Sequence, residues 1–227
     1  MNPKADAFHI DEDSKPYTHL RFKNDPDEFQ FAIISDNAGG PRPGVLPTAL
    51  KMVNLLQPEF VACLGDLVEG YNDASGQPAD EDVYRTWWQE IDDFLAQLDM
   101  PFFFLPGNHD LNSPASLKVW RERHGGSRAY YHFIYKNVLF LMINTVDPPK
   151  DPVALIENDP EQAQIIEDAY QAIKDAISAG EGPAKVLELL TPIEEWSGGT
   201  NISEAQVAYF EEVLEANPDV RWTFCLM

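Results

Sequence analysis

Three short apolar runs each end in polar residues, and this repeated pattern constrains the fold more than any other feature of the chain. The runs and the residues that follow them are 31–35 with Asp36, 60–64 with Gly65-Asp66, and 101–105 with Pro106 and Gly107-Asn108-His109-Asp110. Apolar runs of about five residues bounded by turn residues are typical of buried strands. Because α/β folds place their chemistry at the carboxyl ends of strands, the sequence predicts an α/β fold with a site where these runs end.

Other segments carry helical or strand patterns that complete this α/β organisation. Apolar residues recur at helical spacing in several segments, which predicts helices. These segments are about 46–56, 80–98, 115–123, 160–178 and 203–216, the last beginning at a Ser203 cap. Residues 130–135 and 138–144 are predicted to form a hairpin across Lys136-Asn137, and 220–227 a final strand.

The domain organisation follows from shifts in composition along the chain. Residues 1–28 are polar and predict an arm lying over the domain formed by residues 29–227. Within that domain, residues 148–199 form an insertion with helical segments. Long insertions in compact folds are usually functional or interaction elements, so this one is expected to act as a lid or as a contact in a homo-oligomer.

The charge and the apolar content exclude several classes of partner. The net charge of −22 repels phosphate backbones, so no nucleic-acid partner is expected. No run of 18 apolar residues and no charged-then-apolar N-terminus is present, which predicts a soluble chain without a membrane partner, a transmembrane segment or a signal peptide. Its compartment stays open, because a leader could have been removed. Cys63 and Cys225 both lie in apolar runs and are expected to be buried free thiols.

The polar residues at the three strand ends resemble the first three signature blocks of the calcineurin-like metallophosphoesterases. The most specific element is Gly107-Asn108-His109-Asp110 together with the preceding Gly65-Asp66. The resemblance implies a two-sheet sandwich flanked by helices, and an enzyme that hydrolyses phosphate esters at a two-metal centre. The expected substrate is a phosphorylated small molecule or a phosphoprotein.

The resemblance also implies a role for each residue. Asp66 would bridge two divalent or trivalent metal ions, with Asp36 completing part of one shell and Asn108 part of the other. This ligand chemistry suits manganese, iron or zinc. His109 would assist the leaving oxygen, and Asp110 would orient the His109 ring.

The first departure from the family pattern concerns the first block. The histidine expected two residues after Asp36 is replaced by Ala38. The purple acid phosphatases, a branch that also lacks it, use a tyrosine three residues after the bridging aspartate, and here that position is Glu69. Glu69 is therefore either a metal ligand or a solvated loop acid. Asn37 and Arg42 are candidate substrate contacts, although an exposed loop arginine is the commoner explanation for Arg42.

The second departure is that the two later histidine blocks of the family do not occur in this sequence. We therefore expect the chain to be the N-terminal portion of such an enzyme, with an incomplete second sheet and an incomplete metal site. By itself this portion is expected to have weak activity or none. The alternative is a non-catalytic relative that binds a ligand or a protein partner through the same site or the insertion. The retention of five site residues, Asp36, Asp66, Asn108, His109 and Asp110, favours the enzyme.

Overall fold

The computed structural model describes residues 9–10, 15–19, 28–72, 78–126, 128–147, 160–189 and 201–227. The chain divides into two compact units, one formed by residues 1–149 and 202–227 and the other by residues 150–201. Parts of the predicted arm and of the predicted insertion lie outside the described residues. The boundaries predicted for these two segments therefore stay predictions.

The described residues of the larger unit form seven strands in two sheets. The strands are β1 (His9–Ile10), β2 (Ala32–Ile34), β3 (Val61–Cys63), β4 (Phe102–Phe103), β5 (Tyr131–Tyr135), β6 (Val138–Met142) and β7 (Trp222–Leu226). One sheet has the order β1-β5-β6-β7 and the other the order β2-β3-β4. Strands β2, β3 and β4 are parallel, so their carboxyl ends meet at one edge. Strands β5 and β6 pair as the predicted hairpin.

Six helices are described. They are α1 (Val45–Leu56), α2 (Glu81–Leu95), α3 (Pro114–His124), α4 (Pro160–Ser178), α5 (183–189) and α6 (Glu204–Ala216). Helices α4 and α5 belong to the smaller unit. Side chains cap three of the others: Asp80 begins α2, Ser113 begins α3, and Ser203 begins α6 by accepting the Gln206 N–H, as predicted. Such caps satisfy amide groups that have no partner within the helix.

The core is layered because side chains alternate across each strand. Val61 and Cys63 face a cluster formed with α1, α2 and α3. Phe60 and Ala62 point the other way, into an aromatic cluster shared with the inner face of the second sheet. The outer face of that sheet packs against Phe210 of α6. The predicted α/β sandwich flanked by helices is therefore confirmed.

The structure adds to one expectation and overturns another. Described parts of the N-terminal segment pair with both sheets, since β1 joins β5 and Tyr17 bridges to Phe103. That segment therefore extends the sheets through its backbone, which a polar composition does not reveal. The prediction that both cysteines are buried is wrong for Cys225, which is exposed on β7, whereas Cys63 is buried. Among the described helices, none has the length and apolar character needed to cross a bilayer.

Candidate functional site

The loops that follow β2 and β3 are joined by backbone hydrogen bonds. The Asp36 N–H donates to the Gly65 carbonyl at 3.2 Å, and the N–H groups of Asn37 and Ala38 donate to the Asp66 carbonyl at 2.8 and 2.9 Å. Because β2 and β3 are parallel neighbours, these loops leave the same edge of the sheet. The structure therefore brings Asp36 and Asp66 together, 30 residues apart in sequence.

Both aspartates have backbone conformations that side chains rarely adopt. The φ angle is 53° at Asp36 and 56° at Asp66, in the left-handed region. Asp tolerates this region better than most residues, and such conformations concentrate at functional sites. Burial raises the pKa of the half-buried Asp66 carboxyl, and the neighbouring Asp36 charge also raises it. The hydrogen bond from the His109 backbone N–H and the charge of the His109 ring lower this pKa.

The third loop approaches the second so closely that only glycine fits at the contact. A Cβ on Gly65 would lie 2.3 Å from the Gly107 nitrogen, and a Cβ on Gly107 would lie 2.2 Å from Asp66 Oδ1. Gly65 also has a φ of 105°, which disfavours any side chain. The two glycines therefore set the spacing between the loop that carries Asp66 and the loop that carries His109.

Asp110 holds these loops together through its carboxylate. Its Oδ2 accepts the N–H groups of Asp66 at 2.7 Å and Gly107 at 2.9 Å, and its Oδ1 accepts those of Leu67 at 3.1 Å and Val68 at 3.2 Å. Burial raises the pKa of this carboxyl to about 7, although the backbone N–H donors oppose the shift. We expected Asp110 to orient the His109 ring. The structure corrects this, because the carboxylate binds four backbone amides instead.

His109 is positioned by other groups. Its backbone N–H donates to Asp66 Oδ1 at 2.9 Å, and its ring Nδ1 contacts the Glu69 carbonyl oxygen. Because a carbonyl oxygen can only accept, this contact places a proton on Nδ1. The Tyr71 ring packs edge-on against the imidazole, with the ring centroids 5.3 Å apart. Nε2 is thus the nitrogen that remains for a ligand.

Sequence reasoning missed three residues near His109: Tyr71, which packs on its ring, and Tyr84 and Asn112, which hold the Glu69 to Tyr71 loop. The Gly70 carbonyl accepts the Tyr84 hydroxyl at 2.8 Å and the Asn112 side-chain amide at 2.7 Å. A Cβ on Gly70 would lie 2.4 Å from the His109 carbonyl oxygen, so this glycine also sets a close contact. Tyr71, Tyr84 and Asn112 belong to no motif, and nothing in their sequence context distinguishes them.

The remaining candidates lie around the same loops. The Glu69 carboxylate accepts the Gly40 N–H at 3.1 Å, and the Asn37 side-chain amide donates to the Leu67 carbonyl at 3.1 Å. Both residues line a cavity of about 310 Å³, which the exposed Arg42 also lines. Asn108 is exposed, in the turn after Gly107.

The donor set fits a metal ion only in part. Asp36 and Asp66 offer carboxylate oxygens and Asn108 an amide oxygen, which suit hard divalent cations. The pKa of Asp66 is raised first by burial and then by the Asp36 charge, and a bound cation would offset both effects. However, the described residues contain no group of three or more His, Cys, Asp or Glu side chains able to hold a metal ion. The assignment of Glu69 as a metal ligand stays a prediction, and in the structure its carboxylate accepts the Gly40 N–H.

Comparison with known families agrees with the position of these loops. The model of the calcineurin-like phosphoesterases matches residues 29–211, which is most of the chain. The chain belongs to this family. The match includes the loops after β2, β3 and β4 and confirms the resemblance found in the sequence. At the level of the family, the fold is that of a hydrolase acting on phosphate esters, and the family generally uses divalent metal ions. A search of curated proteins finds no match to the chain.

Proposed function

We propose that this calcineurin-like phosphoesterase hydrolyses a phosphate ester at the loops after β2, β3 and β4, with two metal ions as cofactors. The observation that carries the proposal is the convergence of Asp36 and Asp66 through three backbone hydrogen bonds between their loops. Asp36, Asp66 and Asn108 would hold the metal. When bound, metal ions of this kind neutralise the negative charge that develops on the phosphoryl group.

His109 has the contacts expected of a proton donor. With Nδ1 hydrogen-bonded to the Glu69 carbonyl, Nε2 carries the exchangeable proton of the protonated ring and can give it to the leaving oxygen. The hydrogen bond from the His109 backbone N–H to the Asp66 carboxylate fixes the distance between the two residues. Asp110 supports both by fixing the backbone of their loops. The substrate class we infer is a phosphorylated small molecule or a phosphoprotein.

The test combines metal content with turnover. The full chain is loaded with Mn²⁺, freed of excess metal, analysed for bound manganese, and assayed with 4-nitrophenyl phosphate. We expect Asp36→Asn and Asp66→Asn to lower both manganese content and turnover. Asp93→Asn is the matched control, because Asp93 is exposed on α2, outside the three loops, and its carboxylate accepts the Gln89 side-chain amide.

His109→Gln separates chemistry from metal binding. A residue that donates a proton typically contributes 10²–10⁴-fold to rate, so turnover should fall by roughly that factor while manganese content is kept. If His109→Gln hydrolyses the substrate as fast as the parent, the assignment of His109 is refuted. If the two aspartate variants keep the manganese of the parent, the assigned ligands are wrong.

A second candidate function is a non-catalytic module that binds a ligand or a partner. It is favoured by the lack, in the described part of the chain, of a three-residue group able to hold a metal ion, together with Ala38 in place of a histidine. This candidate predicts that the parent chain retains no manganese and no turnover. Stable binding of two manganese ions with turnover would refute it.

A further inference from the structure

A cavity of about 310 Å³ lies beside the candidate site, between the beginning of α1 and one face of α2. Its lining includes three buried apolar side chains, Leu67, Val68 and Ile91, each at most 3 % exposed. The first two continue the loop after Asp66, and Ile91 comes from α2. Part of the cavity lining is thus built on the same backbone as the candidate site.

Aromatic and aliphatic side chains make up much of the remaining lining. Trp87 and Phe94 are seven residues apart on α2 and so lie on one face of that helix. Leu46 and Pro47, from the first turn of α1, also line the cavity. All four are partly exposed, so a ligand that covered them would gain from the burial of apolar surface.

Two cavity-lining residues connect the cavity to the chemistry of the site. Asn37 follows Asp36 directly, and the Glu69 carbonyl contacts the His109 ring. The polar side chains that line the cavity are those of Asn37 and Glu69 and of the exposed Arg42 and Glu90. A ligand in the cavity can therefore extend from an apolar wall towards the loops of Asp36 and His109.

We propose that this cavity binds the alcohol part of the substrate and that it selects an aryl alcohol, so that the chain prefers aryl phosphates. The inference rests on the proposed function and deepens it. The volume is at the lower end of ligand pockets, which span roughly 300–1,000 Å³, and so matches a single ring. Trp87 and Phe94 line the cavity with aromatic side chains, against which an aromatic group can pack.

Binding of the alcohol alone tests the cavity without turnover. The probe is 4-methylphenol, titrated into the full chain and followed by saturation-transfer NMR, with cyclohexanol as the aliphatic comparison. We expect 4-methylphenol to bind more tightly than cyclohexanol. Trp87→Ala should weaken it by about tenfold, because the ring loses a wall. Trp222→Ala is the control, since Trp222 is 68 % exposed on β7 and does not line the cavity.

A second variant keeps the test valid if Trp87→Ala disturbs folding. Leu46→Trp places a larger side chain in the cavity, reduces the space left for a ring and should also weaken 4-methylphenol binding, while thermal melting shows whether each variant is folded. The cavity assignment is overturned if folded Trp87→Ala and Leu46→Trp bind the probe as the parent does. It is also overturned if Trp222→Ala weakens binding as much as Trp87→Ala.

The kinetic arm separates this inference from the proposed function. With manganese supplied, kcat/KM for phenyl phosphate should exceed that for ethyl phosphate, but phenol is also the better leaving group. The test of the cavity is therefore that Trp87→Ala lowers the ratio of the two kcat/KM values and Trp222→Ala does not. Probe binding without any hydrolysis would support the cavity and refute the proposed function. Hydrolysis with a ratio that Trp87→Ala leaves unchanged, together with no probe binding, would support the proposed function and overturn the cavity assignment. A phosphotyrosine peptide as a third substrate shows whether the aryl group belongs to a protein or to a small molecule.

Discussion

The substitution Gly65→Ala tests whether the spacing of the loops depends on this glycine. The new Cβ would lie 2.3 Å from the Gly107 nitrogen and 2.6 Å from its Cα, and these are backbone atoms that cannot move aside as a flexible side chain can. The φ of 105° at Gly65 adds a conformational cost. A strained backbone conformation costs about 1–3 kcal/mol and overpacking about 1–3 kcal/mol, so we expect a destabilisation of about 4 kcal/mol.

The matched control is Gly39→Ala. Gly39 also has a positive φ, 74°, but a Cβ there would meet nothing within 4 Å. This variant therefore carries the conformational cost alone, about 1 kcal/mol. Both variants are compared with the parent by urea unfolding, followed by tryptophan fluorescence at fixed pH. If Gly65→Ala is no more destabilising than Gly39→Ala, the close approach of the two loops does not constrain the protein and the argument is refuted.

Three further predictions concern buried polar groups. Asp110→Ala leaves four backbone amides without their acceptor and should lower the unfolding free energy by about 3 kcal/mol or more, whereas the same change at the exposed Asp93 should have little effect. Burial, with the nearby Arg123 charge, lowers the pKa of His124 to about 3. Because the unfolded chain takes up this proton near pH 6.5, His124 should lower the unfolding free energy by about 1.4 kcal/mol per pH unit as pH falls from 6.5 towards 3. Unfolding of His124→Phe, measured across that range, should lack this contribution. Lys136→Met leaves the buried Glu59 carboxylate without its ion pair and should destabilise by about 3 kcal/mol; the double variant with Glu59→Gln should recover much of that loss in the same unfolding assay, and no recovery would show that the two charges are not coupled.

Some elements of the fold follow directly from local sequence patterns. The hairpin across Lys136-Asn137 forms as predicted because both residues adopt positive φ, at 48° and 60°, in a two-residue turn. The α6 helix begins at Ser203 because a serine hydroxyl can accept an amide of the first turn. Such features depend on residues close together in the chain, so the sequence is sufficient to predict them.

Pairings between distant segments could not be predicted in the same way. The polar composition of the N-terminal segment gives no indication that His9–Ile10 pairs with β5, because the hydrogen bonds of the pairing are made by backbone groups that almost every residue type carries. Cys225 lies in an apolar run yet is exposed, because β7 is an outermost strand among those described and four of its five residues are exposed. Whether an apolar strand is covered depends on what packs against it.

The same distinction between local and long-range features applies to the candidate site. The sequence by itself determined which residues stand at the three strand ends, because an apolar run followed by Asp36, Asp66 or Asn108 is a local pattern. Only the tertiary structure decided what those side chains contact. Asp110 binds amides 42 to 44 residues away, and the His109 ring meets the Glu69 carbonyl 40 residues away. A hydrogen bond is directional and short, so its partner is fixed by the folded backbone and not by the neighbouring residues in the chain.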